Sequence, residues 1–131
     1  MNPKLHHFCF NVKSGSLDLV LDMFKELGCS LTYREGDTDW FMVGQKGIPI
    51  DIQITEVKKK PLLTRDKIST HVAFLSNSPK KDIEKIGEWA KKNNVEFKQG
   101  GWSDEEKWFD LPDVFVNFVV EIMHTSVVEE A

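Results

Sequence analysis

Residues 48–57, IPIDIQITEV, alternate Ile50, Ile52 and Ile54 with Asp51, Gln53 and Thr55. Successive side chains of a strand point to opposite faces, so this stretch has one dry face and one polar face. The dry row needs a cover, and the chain supplies one upstream. Residues 16–28, SLDLVLDMFKELG, place Leu17, Val20, Leu21, Phe24 and Leu27 on one helical stripe. Ser14 or Ser16 suits its N-cap, and Gly28 suits the left-handed position after its last turn. Before the helix, residues 4–12, KLHHFCFNV, read as a strand that ends at the turn Lys13-Ser14-Gly15-Ser16. Residues 30–35, SLTYRE, and 39–44, DWFMVG, are two further strands, separated by Gly36-Asp37 and followed by Gln45-Lys46-Gly47. Residues 4–57 thus predict strand, helix, three strands.

The order then repeats. Residues 58–66, KKKPLLTRD, have no period and contain Pro61, as a linker would. The three lysines in it read as a solvated charge run. Residues 68–75, ISTHVAFL, form the fifth strand, and Ser78-Pro79 caps and opens a helix over 80–93 with Ile83, Ile86, Trp89 and Ala90 inward. Residues 95–99 are a short strand, 100–106 a polar loop containing Trp102, and 107–111 and 114–123 the last two strands, joined through Pro112-Asp113. Residues 125–131 read as a frayed tail. The fold class is therefore α+β. Two βαβββ modules (4–57 and 67–124) form a cupped mixed sheet with the helices on its outer face, in a single domain of 131 residues.

Composition narrows the classes. Seventeen basic against 21 acidic residues leave a net charge of −4, which argues against a global nucleic-acid footprint. No apolar run reaches the ~18 residues of a membrane span, and the start lacks the apolar core of a signal peptide. Cys9 and Cys29 are too few for a disulfide scaffold. The expectation is a cytoplasmic chain with reduced thiols, no membrane and no nucleic-acid partner.

Strand parity selects the chemistry. With Phe8, Phe10 and Val12 towards the first helix, His7, Cys9 and Asn11 take the opposite face of the first strand. Ile50, Ile52 and Ile54 leave Asp51, Gln53 and Thr55 on that face. In the fifth strand Val72 and Phe74 face the helix, and His71 and Ala73 do not. In the eighth, Phe118, Val120 and Ile122 leave Asn117, Val119, Glu121 and Met123 opposite. His7, Gln53, His71 and Glu121 thus occupy the first and last strand of each module, on the face away from the helices. Two imidazoles and a carboxylate suit a divalent transition metal with open positions, and the Gln53 amide oxygen is a weaker fourth donor. Glu121 stands out because Val119-Val120 and Ile122-Met123 flank it, where an unpaired buried carboxylate is costly. Asp51 is the fallback donor if the register slips by two. His6 belongs to the rim and His124 to solvent. Cys9, Asn11, Asp51, Trp102 and Asn117 are the expected lining of a substrate pocket, with the Trp102 loop as its possible cover.

On LHHFCFNV, IDIQIT, STHVAFL and FVVEIM, in that order and over residues 4–124, the chain resembles the vicinal oxygen chelate superfamily. That superfamily includes glyoxalase I, extradiol dioxygenases, methylmalonyl-CoA epimerase and the bleomycin and fosfomycin resistance proteins. The resemblance implies that His7, Gln53, His71 and Glu121 bind a divalent ion (Ni, Zn, Fe or Mn), with Glu121 or a metal-bound hydroxide moving a proton. It also implies a homodimer, with the metal site closed within one chain or across two. Two features depart from the pattern: Gln53 stands where the bacterial glyoxalases carry Glu or His, and Pro112-Asp113 where a Gly-Asn turn is common.

Three functions follow as expectations. The first is a metal-dependent lyase, isomerase or epimerase that chelates a small substrate through vicinal oxygens. The second is a non-catalytic drug or metabolite binder of the bleomycin-resistance type. The third, disfavoured by the short chain, is an extradiol-type dioxygenase.

Overall fold

The computed structural model of the chain describes residues 2–129. It divides into two compact units between residues 60 and 61.

The first unit runs β1 (His7–Lys13), α1 (Leu17–Glu26), β2 (Ser30–Tyr33), β3 (Trp40–Gly44) and β4 (Asp51–Val57). Its sheet has the order β1-β4-β3-β2, with β1 parallel to β4 and the other pairs antiparallel. A ten-residue helix is marginal alone in water, so packing holds α1. Leu17, Val20, Met23 and Phe24 are buried, as are Val12, Phe41, Val43 and Ile54 of the sheet. Each fully buried side chain of this size contributes about 1.5–3 kcal/mol. Leu17, Val20 and Phe24 keep the expected stripe, with Met23 buried beside them while Leu21 and Leu27 are half-buried.

Neither serine caps α1 with its side chain; the Ser16 hydroxyl donates back to the Lys13 carbonyl instead. The other end closes as expected. Gly28 has φ +81°, its N–H reaches the Lys25 carbonyl, and the Cys29 N–H reaches Phe24. Phe8 lies on the helix side yet is 55% exposed, because it precedes the covered part of β1. The regular ladder of β4 begins at Asp51 rather than at residue 48, since Pro49 lacks an N–H to continue it.

The second unit runs α2 (Thr64–Lys67), β5 (His71–Ser76), α3 (Pro79–Lys92), β6 (Lys98–Ser103), β7 (Glu106–Asp110), β8 (Val119–His124) and α4 (Ser126–Glu129). Its sheet order, β5-β8-β7-β6, repeats that of the first unit, again with the outer β5 parallel to β8. The inward face of α3 is the expected one, with Ile83, Ile86, Trp89 and Ala90 buried and Pro79 at its first position. Asn94, at φ +55°, ends it as Gly28 ends α1.

Four local expectations change here. The linker contains α2, and the segment 126–129 is a helical turn rather than frayed chain. Residues 100–103 belong to β6, because Gly100 and Gly101 pair with Trp108 and Lys107 of β7 instead of looping out. Residues 114–118 are not strand. Val114 and Phe115 bond back to the Leu111 carbonyl after Pro112, and the Val116 carbonyl accepts from Leu62. Phe115 and Phe118 stack at 4.3 Å, so this apolar run is a buried loop and Asn117 lies in it, ahead of β8.

Lys67 is the other departure. Lys58, Lys59 and Lys60 are exposed, but Lys67 is 1% exposed. Its ammonium lies 3.0 Å from Oδ1 of the fully buried Asp110, as an ion pair, and donates to the Phe115 carbonyl at 2.6 Å. The Thr64 hydroxyl donates to the other Asp110 oxygen at 2.6 Å.

Candidate functional site

The face of each sheet away from its helix carries the candidate residues. In the second unit His71 opens β5 and Glu121 is the third residue of β8. His71 pairs with Val119 and Ala73 with Glu121, so the two side chains are diagonal neighbours on one face. Their Nε2 and Oε2 atoms are 4.0 Å apart. His71 Nδ1 lies 3.1 Å from the Ile68 carbonyl. A carbonyl only accepts, so Nδ1 carries the hydrogen, and the neutral form of the ring has its lone pair at Nε2.

Glu121 is 6% exposed. Burial raises its pKa above the usual carboxylate range; the His71 charge opposes that rise and Glu106 adds to it. Trp108 of β7 lies directly across from Glu121, and its indole covers Gly100 so closely that a Cβ there would lie 2.4 Å from the ring. Trp102, 53% exposed, has its ring centroid 6.1 Å from that of His71. Trp102 thus stands beside His71 from a strand rather than from a loop.

The first unit repeats the diagonal. His7 pairs with Asp51 and Cys9 with Gln53, so His7 and Gln53 stand in the register of His71 and Glu121. The Gln53 amide nitrogen donates to the Thr55 hydroxyl at 3.0 Å, which leaves the amide oxygen as the donor atom it offers. Cys9 Sγ also contacts the Thr55 hydroxyl, at 3.3 Å. His7 is exposed, with its Nδ1 3.0 Å from that of His6. Asp51 turns away from β1: it accepts from the Thr32 hydroxyl at 2.8 Å and lies over Gly44. Asn11 is half-buried on the same face.

Do these residues fit a divalent ion? Two bonds of about 2.1 Å meeting at tetrahedral or right angles put their donors about 3.0–3.4 Å apart, so the His71–Glu121 pair at 4.0 Å would close by under about 1 Å on one ion. The ring nitrogen that would bind is free, and the other donates to a backbone carbonyl, as metal-binding histidines usually arrange. The Glu121 carboxylate is buried, and that burial disfavours its charged form. Among the described residues no group of three or more His, Cys, Asp and Glu converges, so the donors come as pairs.

The chain matches solved structures over nearly its whole described length. It superposes on the genomically encoded fosfomycin resistance protein of Listeria monocytogenes, complexed with Mn(II) and sulfate, with a TM-score of 0.60 and 20% identity, covering 99% of this chain and 98% of that one. The fold is that of the vicinal oxygen chelate superfamily. Two more structures with the vicinal oxygen chelate fold bracket the range. A glyoxalase family protein from Bacillus anthracis matches with TM-score 0.58 and 12% identity over 95% of this chain and 96% of that one. A glyoxalase/bleomycin resistance protein/dioxygenase from Nocardioides matches with 0.54 and 15%, over 95% and 84%. No family model and no curated protein matches the sequence.

Proposed function

We propose that the chain is a metal-dependent enzyme of lyase or isomerase type, with His71 and Glu121 as ligands of a divalent ion. The observation that carries this is the Nε2 of His71 facing the buried Glu121 carboxylate 4.0 Å away, with Nδ1 held by a backbone carbonyl. The proposal extends to His7 and Gln53 on the shared diagonal register. A bound ion would act as a Lewis acid on neighbouring oxygens of a small substrate.

The chain's own side chains have distinct tasks. The Ile68 carbonyl keeps the His71 lone pair in place. Glu121 would hold the ion and, when released from it, is the carboxylate placed to move a proton. Trp102 sheds water beside His71. Elemental analysis of untagged protein tests the reading, followed by titration with Mn(II), Zn(II) and Ni(II). Near one equivalent bound, lost in His71→Ala and Glu121→Gln, supports it. His7→Ala and Gln53→Ala, assayed separately, test the first module's pair. A screen of α-ketoaldehyde thiol adducts and acyl-CoA epimers then tests activity.

The pairwise arrangement of donors favours one second reading, a metal-free binder of aromatic ligands on the Trp102 and Trp108 face. Protein that takes up no ion yet quenches its tryptophan fluorescence with such ligands would support it.

A further inference from the structure

We infer that Thr64, Lys67 and Asp110 are positioning residues that hold His71 and Glu121 at their working separation. A buried ion pair is seldom kept for stability, because apolar residues of similar volume often serve as well or better. This one is fully enclosed and has two further hydrogen bonds, from Thr64 to Asp110 and from Lys67 to the Phe115 carbonyl.

Its members tie together three segments: α2, the end of β7 and the 111–118 loop. Each tie leads to the donors. Ile68, the residue after Lys67, supplies the carbonyl that holds the His71 Nδ1–H. The loop containing Phe115 runs directly into β8, and the Val119 N–H bonds to the Thr70 carbonyl just before His71. Asp110 ends the strand on which Trp108 lies opposite Glu121. The clamp thus fixes the points at which β5 and β8 begin, and with them the diagonal that sets Nε2 against Oε2.

The consequence for metal affinity rests on the donor reading above; the geometric claim does not. The test uses the whole chain labelled with 15N-histidine, with His71 assigned by comparison with His71→Gln. Three variants are compared: Lys67→Met with Asp110→Leu, Thr64→Val, and the conservative Thr64→Ser. The double variant is expected to keep a cooperative urea transition. In metal-free protein its His71 should lose the single Nδ1–H tautomer that the Ile68 carbonyl is expected to hold in the wild type. Its Mn(II) affinity should fall about 10–100-fold, the usual effect of removing a ligand's orienting partner. Thr64→Val should show the same changes in smaller measure and Thr64→Ser neither. A folded double variant with the wild-type tautomer and unchanged Mn(II) affinity overturns the inference. If the double variant does not fold, the same two readouts on Thr64→Val decide. If the wild type binds no Mn(II), the donor reading fails, and the tautomer alone still decides the clamp.

Discussion

Lys67→Met leaves Asp110 charged, enclosed and without its counter-ion. Both partners are essentially inaccessible, so the loss falls in the range for a broken buried pair, about 3–5 kcal/mol, rather than the 0–1 kcal/mol of an exposed one. Thr64 still donates to Asp110, which argues for the lower half of that range. Asp110→Leu should cost less, since Lys67 keeps the Phe115 carbonyl and a lysine can shed its proton. Small proteins have about 5–15 kcal/mol in total, so the Lys67 variant forfeits a large share. With a urea slope near 2 kcal/mol per molar, its midpoint should drop by about 1.5–2 M. Combining the two substitutions should return the midpoint to within about 1 M of wild type, because no unpaired charge remains. Urea unfolding followed by tryptophan fluorescence gives all four corners of this cycle. A single-variant loss below about 1 kcal/mol, or a double variant as damaged as the sum of the singles, would refute the reasoning.

Three other outcomes are expected. The folded pKa of Glu121 is raised, so its contribution to stability is complete below the unfolded value and is lost as pH rises through the folded one. Metal-free Glu121→Gln should therefore gain on wild type in melting temperature between pH 4 and pH 8; a gap that stays constant or narrows contradicts this. Gly100→Ala drives a methyl into the Trp108 indole and should cost about 1–3 kcal/mol with a shifted tryptophan emission, whereas an unchanged spectrum and melting temperature would show that the ring is free to move. Cys29 is buried, with its thiol pushed up to about 11, and Cys9 is exposed; at pH 8 a disulfide reagent should modify one thiol rapidly and the other only on unfolding.

The sequence displayed the site better than it displayed what supports it. The Ile50-Ile52-Ile54 alternation gave the face of Gln53, and module order with strand parity gave that of Glu121, although β8 is buried on both faces over residues 119–122. The matching register of His7 and His71 followed from module order. The parts that escaped are those with no period. Lys67 sits in a short turn after three exposed lysines, and nothing local distinguishes it from them. Asp110 ends a strand, where polarity is ordinary. The Ile68 carbonyl is backbone, common to any residue. Trp102 and Asn117 were misassigned to loop and strand because glycine pairs were read as a turn, and because β-branched residues were read as a ladder when loop packing had claimed them.

Parallel pairing of β5 with β8 joins residues roughly fifty positions apart, with a helix and two strands between them. Contacts so distant in the chain form late and slowly. The His71–Glu121 diagonal exists only where β5 and β8 are paired, and an ion that requires both donors would bind the folded unit in preference to the unfolded chain. Such an ion would act as a latch on the completed fold, adding stability by mass action and shielding the chain from proteolysis.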